Sequence, residues 1–289
     1  MTFRLTALTD PADSALSHRL AWLAADPDGT PLGTAFLRLF TSPGQSHLCG
    51  LALDVHPAER RRGVGSALLA AATDAARADG RQALNAQAVE GSPGDGFLTA
   101  HGFTRALVLD YARLDLATAP AGDPGRVHPQ YRLVSWTGSC PDELLADFTR
   151  SRTAMDDMPM GDTHFGQVAW DEARVLAAAK AVADRGELLH TVAAVETASG
   201  RIVGFSELVL PADLTGDAQH YGTAVLPAHR RRGLARSMKA ETVRWTRTEH
   251  PAITGLLTDT AEQNTGMLAV NESLGYRTTH RSIEFRLDL

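Results

Sequence analysis

Two short stretches carry residue types that could do chemistry: VHPAERRRGVG, beginning at Val55, and VLPAHRRRGLA, beginning at Val225. Adjacent arginines repel one another, so each cluster is either a solvated charge run or a site for an anion. The surroundings decide between these. Val-x-Pro ends an extended segment, because proline disfavours helix in the residue before it, and a helix-patterned run follows each glycine. The first N–H groups of a helix have no internal acceptor and attract anions. Gly63 and Gly233 can adopt positive φ and bring backbone close to a ligand. Gly65 and Ala235, two residues on, are small enough to keep that approach open. Arginine adds charge-assisted bonds to phosphate oxygens. A strand, a bend and a helix so equipped suit a pyrophosphate. Neither copy matches the P-loop or the G-x-G-x-x-G pattern of dinucleotide sites.

The elements that must position these bends repeat as well. In the first half, RLAWLAAD and LGTAFLRLF flank PDGTP as a hairpin, and HLCGLALDV leads to the arginines. Leu68, Leu69, Ala72 and Ala76 then share one helical face. ALNAQAV is the next strand, and a short helix ends in HGF at 101–103. In the second half LLHTVAAVE, RIVGFSELVL and HYGTAVL take the same places. Leu234, Met238 and Trp245 mark the helix, ITGLLTD the strand, and LGY at 274–276 the close. Arg60 lies 42 residues before Gly102, and Arg230 lies 45 before Gly275, so the whole tail of each half recurs. The Pro/Gly-rich ATAPAGDPGR is a linker. Domains are expected at 1–118 and 127–289, joined by 119–126.

With these features the chain resembles the GCN5-related N-acetyltransferase (GNAT) family in two tandem copies. Its [QR]-x-x-G-x-[GA] signature is matched by Arg60, Gly63 and Gly65, and again by Arg230, Gly233 and Ala235. The tandem layout is similar to the mycothiol synthase type. The resemblance implies an α/β fold in each copy, a mixed sheet splayed between its fourth and fifth strands with helices on both sides. It implies acetyl-coenzyme A as cofactor. The carrier is then expected on Val55, Arg60, Arg61, Arg62, Gly63, Val64 and Gly65, and on Val225, Leu226, Arg230, Arg231, Arg232, Gly233, Leu234 and Ala235. Asn264, in NTGMLAVNESLGY, matches an asparagine that faces the pantetheine arm. Backbone N–H near Val225 and Leu226 matches the family's oxyanion donor.

The halves differ in front. The first has only TDPADSALS between its opening strand and its hairpin, whereas the second has room for two helices and a loop. Since the family builds its acceptor pocket from such helices, acetyl transfer is expected in the C-terminal copy, by direct attack of an amine on the thioester. Glu207 is the first choice as base, ahead of His220, with Tyr221 as a proton donor. The tyrosine many members place four residues before the GF glycine is Leu98 in one copy and Asn271 in the other. In AMDDMPMGD, Asp156 and Asp157 could hold an ammonium group, and Met155, Met158 and Met160 an adaptable apolar surface.

Composition sets the outer bounds. A formal charge of −6 argues against a nucleic-acid partner. No signal peptide or bilayer-length apolar run is evident, so a cytoplasmic protein without a membrane partner is expected, a monomer or homodimer. Two cysteines form no disulfide framework or metal pattern. The expected acceptor is a small-molecule amine. The alternatives are a non-catalytic acyl-coenzyme A sensor, another acyl donor, or a protein amine as acceptor.

Overall fold

The computed structural model describes residues 2–9, 17–42, 44–119, 127–166 and 169–289. The expected linker, apart from Ala119, lies outside them. The N-terminal half forms β1 (Arg4–Leu8), β2 (Ser17–Ala25), β3 (Pro31–Phe40), β4 (Leu48–Val55), α1 (Val64–Ala78), β5 (Ala83–Val89), α2 (Pro93–Ala100) and β6 (Thr104–Asp115). The C-terminal half forms β7 (Tyr131–Thr137), α3 (Asp142–Ser151), α4 (Glu172–Asp184), β8 (Leu188–Glu196), β9 (Ile202–Leu210), β10 (Gly216–Val225), α5 (Leu234–Glu249), β11 (Ile253–Ala261), α6 (Thr265–Leu274) and β12 (Arg277–Asp288). The α/β class and the repeated order agree with the sequence reading.

The chain packs as two compact units, and each borrows a strand from the other half. The first comprises residues 1–108, 160–167 and 282–289; the second comprises 109–159 and 168–281. In the first, β1, β2, β3 and β4 form an antiparallel meander, β5 lies parallel to β4, and the end of β12 pairs antiparallel with β5 from Ser282–Val89 to Asp288–Ala83. In the second, β7, β8, β9 and β10 repeat the meander, β11 lies parallel to β10, and Leu109–Asp115 of β6 pairs with β11. Ile283 and Phe285 thus sit fully buried in a core built otherwise by the N-terminal half.

Hydrophobic burial fixes the helices. α1 buries Leu68, Leu69, Ala72 and Ala76 against β3 and β4, the face its spacing predicts. α5 buries Leu234 and Met238 against Val192, Val203 and Val225. α3 covers the opposite side, with Phe148 edge-on to Phe205 of β9 at 5.5 Å. With helices on both sides, β9 is buried along its whole length.

Each sheet splays where the repeated motif begins. β4 pairs with β5 over Leu48–Leu51, and β10 with β11 over Gly216–Gln219. Beyond those points the strands part, and their free ends run to the arginine bends. In β10 the register shifts between His220 and Gly222, a bulge that leaves Tyr221 unpaired and half exposed.

Phe285→Ala should destabilise the first unit by about 3–5 kcal/mol, the range for truncating a buried phenylalanine. Hydrogen exchange should then rise in β2, β3 and β4 while β8 and β9 keep their protection.

Candidate functional site

Both bends are built alike. A short 3₁₀ turn over Pro57–Glu59, or Pro227–His229, reverses the chain. Arg61 and Arg231 then take positive φ of 64° and 61°, a left-handed conformation that costs a non-glycine residue about 1–3 kcal/mol. Gly63 and Gly233 follow at 85° and 75° as helix N-caps. Left-handed residues alternating with ordinary ones turn successive N–H groups into one concavity, an anion nest. The first helical bond of α5 runs from the Ser237 N–H to the Gly233 carbonyl, so the amides from Gly233 to Arg236 find no intrahelical acceptor. A Cβ on Gly233 or Gly63 would meet nothing within 4 Å. That space is open for a ligand.

The three arginines of each cluster do different work. The Arg60 Nε donates to the Val55 carbonyl at 3.1 Å, and the Arg230 Nε to the Val225 carbonyl at 2.8 Å. Each brackets the bend back onto the strand. Arg230 also grips both oxygens of Asp157, at 2.6 and 2.7 Å, and this pairing lowers the Asp157 carboxyl below its usual range. Arg232 donates to the Tyr131 hydroxyl, and Arg62 pairs with Glu59. Only the middle residues, Arg61 and Arg231, make no side-chain bond among the described residues. The expectation that all six side chains face phosphate therefore narrows to these two, because the other four are engaged by protein.

A groove of about 530 Å³ opens along the second bend. Its walls include Ala154, Asp157, Met158 and Pro159 on one side, and Asn264, Met267 and Val270 on the other. Thr223, Ala224 and Val225 of β10, with Arg231, Gly233, Ala235 and Arg236, line the rest. Leu234 contributes its amide while its side chain is core. Asn264 caps α6 through its carbonyl oxygen, accepting from the Met267 N–H at 3.2 Å.

The first copy differs at one point. Five residues before Gly102 stands Phe97, whose ring lies 3.2 Å from where a Gly65 Cβ would be. The Phe97 ring lies tilted against that of His101, centroids 4.2 Å apart, and His101 hydrogen-bonds Ser66 at 3.0 Å. These contacts join α1 to the C-terminal end of α2. Five residues before Gly275 stands Val270, and there the gap is groove. Val55 ends β4 and Val64 is core.

The side chains proposed for proton transfer sit elsewhere than their sequence positions suggest. Glu207 is buried in a bidentate pair with Arg152, at 2.5 and 2.8 Å, and Arg152 lies against Phe148, Trp170 and Phe205. Both carboxylate oxygens are engaged, which removes Glu207 from the position of a free base. His220 points into the core. Its Nδ1 lies 3.2 Å from the Glu207 carbonyl, which can only accept, so Nε2 accepts from the Tyr276 hydroxyl at 2.9 Å. Burial, then the charge of Lys239, holds His220 well below the usual histidine range. Tyr221 accepts from Arg185 at 2.9 Å on the exposed side of the bulge. Asp156 is exposed beside the groove, without a side-chain partner among the described residues. Of the two amides expected to stabilise an oxyanion, that of Leu226 donates to the Val203 carbonyl at 2.8 Å and is unavailable. Since hydrogen-bonded pairs alternate along an antiparallel ladder, the Val225 and Thr223 amides point away from β9, toward the open edge. Thr223 was not legible as a donor without that register.

Asn271, at the family's tyrosine position, is buried and accepts from Lys239 Nζ at 2.7 Å while donating to Thr260 at 3.1 Å. Desolvation pulls Lys239 down to about 7 and pushes the Tyr276 phenol up. Burial likewise raises the thiols of Cys49 and Cys140, to about 12 and about 11, so neither supplies a thiolate nucleophile at neutral pH.

The model of the acetyltransferase (GNAT) family matches residues 4–103 and 152–276. A tandem GNAT protein from the clavulanic acid biosynthesis pathway superposes with a TM-score of 0.77 at 24% identity, covering 96% of this chain and 84% of that one. A GCN5-related N-acetyltransferase from Sphaerobacter thermophilus gives 0.69 at 18% identity, over 93% and 80%. At these identities the likeness is one of fold. A search of curated proteins finds no match. No helix among the described residues is long and apolar enough to cross a membrane.

Lys239 makes a pH prediction. Between about pH 7 and 10 the unfolded chain holds a proton that the folded chain lacks, so stability should rise with pH by up to about 1.4 kcal/mol per unit from this group. Below about pH 7 both states are protonated and this contribution is flat. Lys239→Met should remove the slope. The measurement is the difference between urea unfolding curves of the two proteins from pH 7.5 to 9.5, where the effects of the buried thiols cancel.

Proposed function

Because this chain belongs to the GNAT acetyltransferase family, we propose that it is an acetyl-coenzyme A-dependent N-acetyltransferase, with the chemistry in the second unit and a small-molecule primary amine as acceptor. The observation that carries this reading is the second bend: unsatisfied α5 amides, an unpaired Arg231 and a glycine whose missing Cβ leaves space, all opening on one groove. These residues fit a diphosphate. The amides of Gly233 to Arg236, with Arg231 and Arg236, would hold it, and Asn264, Met267 and Val270 would flank the arm. When bound, acetyl-coenzyme A supplies an acyl group activated as a thioester.

The chain's own part is positioning and electrostatics. Thr223 and Val225 aim their N–H groups out of the β10 ladder, where donors can stabilise charge on an acyl oxygen. Glu207 and His220 hold each other's surroundings rigid and take no proton from the amine, which on this reading arrives as the free base. Asp157 anchors Arg230, leaving Asp156 and Met158 as the residues of that loop available to an acceptor. The protein is expected to act in the cytoplasm as a monomer or homodimer.

A second reading, an acyl-coenzyme A sensor without turnover, is favoured by Asn271 at the tyrosine position and by the engagement of Glu207. Thiol release from acetyl-coenzyme A with a panel of amines separates the two: release supports the enzyme, and binding without release supports the sensor. If turnover is found, the acidic limb of the pH–rate profile, where rate rises with pH, should follow the ammonium pKa of the amine used and stay in place in Glu207→Gln.

Gly233→Val should weaken coenzyme A binding at least tenfold, through strain at φ 75° and a side chain in the nest. Gly63→Val should leave binding within twofold. Calorimetric titration of both variants checks this, and the reverse pattern would refute the assignment to the second unit.

A further inference from the structure

On one face of the second unit the helices cover only part of the β-sheet. Phe205 of β9 packs against Phe148 of α3, and Val209 against Ala179 and Val182 of α4. This cover reaches β10, where the Met155 methyl would lie 3.4 Å from a Cβ on Gly222. Next to it come Gln219 of β10, Leu257 and Asp259 of β11, and Tyr111 and Arg113 of β6. These alternate along their strands with Ala218, Leu256, Ala112 and Leu114, which pack toward α5, so they share the opposite face. Each of them is half-buried or exposed.

Part of that face is filled by an ion pair. Arg113 grips both oxygens of Asp217, at 2.7 and 2.8 Å, and the pair lies over Gly255, where an added Cβ would collide with it. At Asp259 nothing comparable occurs. Asp259 stands two residues beyond Leu257, the last residue of β11 paired with β10, and so marks the vertex of the splay. The Gln219 amide nitrogen bridges that vertex, donating to the His220 carbonyl at 3.1 Å and to Asp259 Oδ1 at 3.3 Å. Among the described residues no cation forms an ion pair with Asp259, and no other side chain donates to it or to Gln219 Oε1. Elsewhere in this unit arginine closes the carboxylates off: Arg152 takes Glu207, and Arg230 takes Asp157.

Asp259 is exposed, yet surrounding protein desolvates its carboxyl and raises it above the usual aspartate range, against the lowering effects of its own N–H and of Lys239. Solvent access combined with desolvation describes a carboxylate on the floor of a concavity. Tyr111 lies directly across from Asp259 in the β6–β11 ladder, its ring stacked on His280 at 4.6 Å. Two open acceptor oxygens suit the N–H groups of an amine, and an aromatic wall suits the carbon that bears it. Across the splay is the open edge of β10, toward which Thr223 and Val225 direct their N–H groups.

We propose that Asp259, oriented by Gln219, receives the amino group of the acceptor, and that the acceptor is a primary amine without a neighbouring carboxylate. The second part follows from charge. Arg113 on this face is held by Asp217, and Arg185 beside Tyr221 is held by Glu187. An acceptor carboxylate would therefore meet Asp259 with no free arginine to balance it. Asp259 binds and orients the nitrogen. Its role toward an acceptor rests on the acyltransferase reading; the amine site itself does not.

The test titrates the full chain with tyramine and, separately, with tyrosine, which differs from it by the carboxylate alone. Amide NMR follows both, including the Gln219 side-chain amide. Tyramine should shift that amide and the backbone amides of Tyr111 and Asp259, and tyrosine should bind at least tenfold more weakly. Asp259→Asn should weaken tyramine at least tenfold, as expected for loss of a charged hydrogen-bond partner, and leave coenzyme A within twofold. Absence of a Gln219 shift at millimolar tyramine, equal binding of tyrosine, or unchanged tyramine affinity in Asp259→Asn would overturn the site. Equal loss of tyramine and coenzyme A would overturn it too, since a structural role has that effect. Should Asp259→Asn not fold, Gln219→Ala must weaken tyramine at least threefold, and unchanged affinity overturns the proposal. Thiol release separates this claim from the wider one. Tyramine bound at Asp259 with no release from acetyl-coenzyme A removes the enzyme and keeps the amine site; release that Asp259→Asn does not slow keeps the enzyme and removes the site.

Discussion

An α-helix cannot satisfy its own first amides, and the second unit is organised around leaving those of α5 unsatisfied. The strand before the bend parts from its parallel neighbour, proline and a 3₁₀ turn reverse the chain, and two left-handed residues aim the amides into one concavity. One of those residues is an arginine, whose conformational strain must be outweighed by the packing around it. Arg230 supplies part of that support by tying the bend to the Val225 carbonyl. The triple arginine is thus more a piece of joinery than a patch of charge.

The two bends share a backbone but not their surroundings. Backbone geometry at 61–63 and 231–233 is nearly the same, yet the Phe97 ring packs over Gly65 in the first copy where Val270 lines a groove in the second. The polar interior of the second unit is also structural: Glu207 on Arg152, His220 on Tyr276, and Lys239 on Asn271 satisfy one another away from the groove. Buried pairs of this kind are costly to break and add rigidity more readily than chemistry. The groove is lined instead by Met158, Arg231, Arg236, Asn264, Met267 and Val270, together with the bend itself.

Periodicity and punctuation made most elements readable. Leu68, Leu69, Ala72 and Ala76 mark the buried face of α1 because helical spacing and burial coincide there, and Val-x-Pro marks where β4 and β10 end. The exchange of β6 and β12 was not readable, because the two strands have interchangeable roles and no local pattern says which β-sheet receives which. The site was legible in its bends and not in its side chains. Which partner Glu207 or Asp157 takes depends on Arg152 and Arg230, distant in sequence and brought close only by the fold. The left-handed Arg231 was invisible for the same reason, since an arginine gives no propensity signal for positive φ.

The most direct test of the central claim is amide NMR of the unaltered protein during titration with coenzyme A. The account predicts saturation at one carrier per chain, with the Gly233 and Leu234 amide resonances shifting and those of Gly63 and Val64 staying in place. Saturation with shifts at Gly63, or no shift at Gly233 in the presence of excess carrier, would contradict it.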